Sequence, residues 1–160
     1  MPVINVSLNG GSIDAAIREL KAYAKKVEKA SEKVVKELTE QGAEQAKDFA
    51  MYMNAYDTGE LVNGIVAEAS GSEGRIVATA PHSAYVEFGT GVVGEMSPAP
   101  HAGQHGWNYD VNEHGEAGWY YIGDDGKRHW TKGMPSRPFM YDTAKVMREA
   151  VPDKVKEALK

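Results

Sequence analysis

Residues 12–53 read SIDAAIRELKAYAKKVEKASEKVVKELTEQGAEQAKDFAMYM, and their periodicity decides the fold. Ile13, Ile17, Leu20, Ala24, Val27, Val34 and Leu38 step by three, four or seven, while Lys and Glu fill the other face. That is the pattern of an amphipathic helix with one covered side. Ser12, after the breaker Gly10-Gly11, suits an N-cap, and Asp14 suits the positive end of the helix dipole. The pattern continues beyond Gly42 through Ala43, Ala46, Ala50 and Met53. About 40 helical residues would span roughly 60 Å, too long for a compact domain of this size. Either the helix bends near Gly42, a poor helix former, or one end projects and meets another subunit.

Outward from that helix, Ile65 to Ser70 and Arg75 to Ala80 flank the four-residue loop Gly71-Ser72-Glu73-Gly74 as a β-hairpin, with Ile76, Ala78 and Ala80 on one face. Ala84 to Phe88 reads as a further strand, Val86 and Phe88 pointing one way and Tyr85 and Glu87 the other. From Gly89 to about Gly118 the chain is rich in Gly, Pro, His and Asn without either structural period, as in functional or disordered loops. Trp119 to Ile122 and Lys127 to Thr131 flank Gly123 to Gly126 as a second hairpin. Ser136-Arg137-Pro138 opens a C-terminal helix with a stripe of Phe139, Thr143, Val146 and Ala150, kinked or restarted at Pro152. The expected class is α+β: a long N-terminal helix and a C-terminal helix on a small, mainly antiparallel sheet. Residues 1–160 form a single domain, with 89–133 as a projecting loop and hairpin insertion.

A chain of 160 residues can remove roughly 70% of its unfolded surface from water, so a true core is expected. Cysteine is absent, which excludes disulfides and thiolate metal sites and fits a reducing cytoplasm. The start has no signal-peptide pattern and no run reaches the length of a membrane span, so a soluble chain made in the cytoplasm is expected, without a membrane partner. The net charge of -5 argues against tight binding to phosphate backbones.

Three motifs suggest chemistry, and each has a plainer reading. Asp57-Thr58-Gly59 matches the aspartic-protease triplet, but it follows a helical stretch rather than an apolar strand and reads as a helix-ending turn. Gly89-Thr90-Gly91-Val92-Val93-Gly94 fits the dinucleotide fingerprint. Its third glycine would have to open a helix, and the stretch from Met96 to Pro100 cannot continue as one. No cofactor is expected. His101 and His105 have metal-ligand spacing, with His114, His129, Asp110 and Glu113 nearby; this supports an alternative reading as a metal-dependent hydrolytic enzyme. Solvent-exposed loop histidines are the simpler reading, with neither catalytic nor metal residues. Trp107, Trp119, Tyr120, Tyr121 and Trp130 read as protein-contact residues at a subunit interface rather than as base-stacking ones.

Three blocks carry a resemblance over nearly the whole chain: Asp57-Thr58-Gly59-Glu60-Leu61-Val62-Asn63-Gly64-Ile65, Ala84-Tyr85-Val86-Glu87-Phe88-Gly89-Thr90-Gly91, and Gly133-Met134-Pro135-Ser136-Arg137-Pro138-Phe139-Met140. In their order and spacing the chain resembles the minor structural proteins of tailed bacteriophages that join head to tail or complete the tail end. The resemblance implies a non-enzymatic subunit of the virion, at the head-tail interface. It would form a ring, commonly of six copies, between the head connector and the tail tube, with DNA only as passing cargo. The motif residues would then be structural. A charge pair between Glu87 and Arg137 is expected within the body, with Thr90 and its neighbouring glycines forming a tight turn.

Overall fold

The computed structural model describes residues 10–55, 58–110, 113, 117–123 and 125–160. Helix α1 runs from Gly10 to Tyr52 without a break at Gly42. Gly42 is buried inside it, and a Cβ there would collide with Ile76 and press on Met147. The glycine therefore lets a strand and a helix approach α1 closely. Gly10 and Gly11 begin the helix instead of preceding it, so Ser12 lies within the first turn and not at its cap. At a helix start the amide hydrogens lack intrahelical partners in any case, so glycine weakens little there.

A short helix α2, Glu60–Asn63, leads into the hairpin of β1, Ile65–Ser70, and β2, Glu73–Ala78. Its register runs from Ile65 opposite Ala78 to Ser70 opposite Glu73, so the turn holds two residues, not the expected four. Gly74 belongs to the strand because a Cβ there would collide with the Thr39 hydroxyl of α1. Close approach to the helix, rather than turn chemistry, requires that glycine.

Helix α3, Ser83–Phe88, stands where a strand was expected. Five residues are too few to separate the two periods, and Val86 and Glu87, adjacent in sequence, are both buried, which strand alternation does not allow. Helix α4, Gly91–Met96, and a 3-10 turn, Ala102–His105, follow. The second hairpin pairs β3, Trp119–Ile122, with β4, Arg128–Thr131, Trp119 opposite Thr131. Each hairpin is a separate two-stranded sheet.

Helix α5, Phe139–Ala158, contains Pro152 without ending there. It lies antiparallel along α1 from Phe49 back to Val27: Val146 sits near Phe49, Met147 at Gly42, and Val155 near Val27. Its buried stripe turns through Phe139 and Thr143 to the half-buried Met147, while Val146 is exposed. Phe139, Leu61, Ile65, Val86, Ala43, Ala46 and Ala50 form the core. The small residues of α1 bring that helix close enough for Phe139 to fill the space between. The architecture is α+β, with long N- and C-terminal helices and small antiparallel sheets. Among the described residues, no helix is long and apolar enough to cross a membrane.

Candidate functional site at the meeting of the three blocks

An open cleft of about 390 Å³ is lined by residues of all three blocks: Thr58, Gly59, Glu60 and Leu61 from the first, Tyr85 and Val86 from the second, and Met134 and Arg137 from the third. Local sequence explains the convergence. Gly59 adopts a φ of 85° and starts α2, carrying Leu61 into the core. Gly89, at φ 81°, ends α3 with its amide donating to the Tyr85 carbonyl. Arg137 donates its amide to the Val86 carbonyl at 2.8 Å, which sets Pro138 and Phe139 at the start of α5.

Glu87 is the centre of this junction. It is 5% exposed, and its carboxylate accepts the amides of Met140 at 2.9 Å and Tyr141 at 3.0 Å, both unsatisfied donors at the N-terminus of α5. His101 Nε2 lies 3.2 Å from the same carboxylate. The expected Glu87–Arg137 pair is not formed. Among the described residues no carboxylate is within ion-pair distance of Arg137, which lines the cleft instead. Glu87 turns inward because α3 is helical, and the partners it meets there are backbone amides.

Burial pushes the Glu87 carboxyl above its usual range, against the lowering effect of the two amides, and the charge of Asp142 adds to the rise. Burial lowers His101, and neighbouring His105 lowers it further. The 3.2 Å contact taken alone would suggest an ion pair, which would instead raise His101. The directions favour a neutral imidazole whose Nε2–H donates to Glu87, because both groups lose hydration. That tautomer leaves His101 Nδ1 as an acceptor, buried and without a partner among the described residues.

An aromatic stack fixes His101. Its ring lies flat on Tyr141, with centroids 4.8 Å apart, and touches Phe88 and His105. Trp107 stacks on Phe88 at 4.8 Å and donates its indole N–H to the Gly89 carbonyl at 2.9 Å. Trp107 therefore packs against its own chain. Thr90 and Met134 form a two-way backbone bridge, and the Thr90 hydroxyl accepts a third bond, from the Met134 amide. Gly91 has φ 59°, and a Cβ there would collide with the Lys132 carbonyl. These contacts tie Thr90 and Gly91 to the segment from Lys132 to Met134.

The hairpin contrasts with this packing. Tyr120, Ile122 and Trp130 are 57%, 66% and 51% exposed, Tyr121 is exposed, and Trp119 is half-buried beside Gly91. Asp57 and His114 lie outside the described residues. Among the described residues, no three His, Asp or Glu side chains are grouped to hold a metal ion. His129 pairs with Asp125 at 2.9 Å, away from His101 and His105. Sequence reasoning missed His101 and the α5 amides as partners of Glu87. Separations of 14 residues and of more than 50 leave no local pattern to read.

Residues 14–89 match the family model described as "Bacteriophage HK97-gp10, putative tail-component". The resemblance to phage structural proteins holds. The matched span carries α1 through α3 and ends at Gly89, within the second block. The family that the model describes is one of phage tail components, and the matched span includes Glu87 but neither α5 nor the aromatic hairpin. No curated protein and no solved structure matches the chain.

Proposed function

We propose that this chain is a non-enzymatic subunit of the phage head-tail interface, completing the tail by assembling into a ring through which DNA passes. The exposed aromatic hairpin carries the reading. Tyr120, Ile122 and Trp130 share one exposed face of the two-stranded sheet, with Arg128 over the Tyr120 ring, and Tyr121 is exposed on the other face, while the buried polar groups of the motif blocks are engaged within the fold. Aromatic side chains with a polar edge are the usual centres of interface energy. The hairpin packs on the body of the next copy, giving the heterologous contact that a closed ring requires. The head connector and tail tube meet the two faces of the ring, six copies being the number the resemblance implies. The net charge of -5 suits a conduit that must not retain phosphates.

The test adds purified chain to tails that lack it and images the tail ends by electron microscopy. Wild-type protein should form rings there. Trp130→Ala, with unchanged circular dichroism, should form markedly fewer, and ring formation at the wild-type level would remove the hairpin from the contact.

A further inference from the structure

Each hairpin stops at two strands, a number that is marginal in water without a third strand or a covering layer. The first hairpin has such a layer on one face: Ile65 is buried, and Gly74 and Ile76 meet Thr39 and Gly42 of α1. β2 therefore lies on α1, while residues 66–70 of β1 are all exposed. The Thr79 amide donates to the Gly64 carbonyl, which fixes the ladder. Val66, Glu68 and Ser70 bond to β2, and the backbone groups of Ile65, Ala67 and Ala69 point away from it. Among the described residues no backbone bond outside the hairpin uses Ala67 or Ala69. This outer edge has no proline, bulge or inward charge, the devices by which an open edge is usually blocked. In the second hairpin the Gly123 amide donates to the Lys127 carbonyl, so Arg128 and Trp130 likewise turn their backbone groups outward from β4.

The side chains decide which strand fills that edge. β1 with its turn, residues 65–73, holds two acidic and no basic side chains, and β4 with its flanks, residues 127–132, holds three basic and no acidic. Among the described residues Glu68 forms no ion pair, even with Arg75 opposite it, and Lys127 comes only within 4.0 Å of Asp125. Pairing β1 with another β1 would set Glu68 opposite or diagonal to its counterpart in both registers that join all but one residue. β4 against β4 likewise brings Arg128 to Arg128. Antiparallel pairing of residues 66–70 with 127–131 instead puts Glu68 opposite His129 and diagonal to Lys127, and sets the large Trp130 beside the small Ala67. Within one copy the two hairpins are separate sheets, so the strands join between copies. We infer that β4 of one copy pairs with the outer edge of β1 in the next, forming a four-stranded sheet across the boundary. This rests on the hairpin contact proposed above and names the surface that receives it. Because edge and hairpin are different patches, the contact propagates and closes as a ring.

The chain has no cysteine, so single cysteines report the contact. Full-length Glu68→Cys and His129→Cys chains, one carrying a size tag, are mixed, added to tails that lack the protein and oxidised mildly. Disulfide-linked heterodimer should form at least roughly tenfold faster than when Glu68→Cys is mixed with Lys36→Cys on the exposed side of α1. Equal rates would overturn the inference, and so would homodimers of Glu68→Cys outnumbering the heterodimer, which would show β1 paired with itself. Ala67→Pro is the second variant. It removes an outward amide that β2 does not use, a change edge strands tolerate, so circular dichroism should match the wild type. On tails it should lose most rings. Wild-type ring numbers for Ala67→Pro with a loss for Trp130→Ala would overturn the edge contact and leave the hairpin's role standing, and wild-type numbers for both would remove the two together.

Discussion

Glu87 joins three pieces of chain through one carboxylate: α3, which carries it, the first amides of α5, and His101 of the turn. Replacing it with Gln puts an NH₂ group against donors, leaving at least one buried amide without an acceptor. We expect a loss of about 1–3 kcal/mol in denaturant unfolding. Combined with Arg137→Ala the effects should add, whereas with His101→Phe they should not; a coupling of Glu87 to Arg137 would contradict the observed partners. The pH dependence separates the groups further. Glu87 is raised from 4.5, so its stabilising contribution is complete below pH 4.5 and fades as pH climbs through the folded value. His101 is lowered from 6.5, so its contribution is complete above pH 6.5 and is lost as pH falls through the folded value. The two oppose each other between these limits. Stability of Glu87→Gln should therefore rise with pH across the window and that of His101→Phe should fall, as read from urea midpoints. Parallel slopes would refute the assignment.

At the scale of elements, glycines record where backbones meet. Gly42→Val would drive a branched side chain into Ile76 and Met147, and should lower stability by about 1–3 kcal/mol in thermal unfolding. Gly91→Ala combines a positive φ with a clash against Lys132 and should lose about 2 kcal/mol, detected as a lower denaturant midpoint. The two long helices and both hairpins were legible because their periods repeat over enough residues or are bracketed by turn glycines, whereas the short helices α2 and α4 were not. Residues 84–88 were not, since a run of five fits either period and the burial of Glu87 depends on α5, far away in sequence. The role of Gly42 was equally hidden: propensity marks it as a weak point, while packing makes it the closest approach. Of the site, the three blocks meet around one cleft, but the partner of Glu87 was misassigned because charge complementarity overlooks backbone amides.

For the whole molecule, the distribution of exposed apolar surface matters more than any cavity. The hairpin aromatics and the exposed Ile17 and Leu20 of α1 lie on different elements, so a variant in one should leave the surface of the other unchanged. Trp130→Ala joined with Leu20→Asp should thus impair assembly more than either alone, measured as sedimenting species at one concentration. Equal impairment in the single and double variants would merge the two surfaces into one. The reach of α1 has a mechanical consequence. From Val27, where α5 ends beside it, to Ile13 is about 21 Å of helix, so a tilt of about 10° at Val27 moves the tip by about 4 Å. A small angular change where the two long helices part thereby becomes a displacement of several ångströms at the far end of α1.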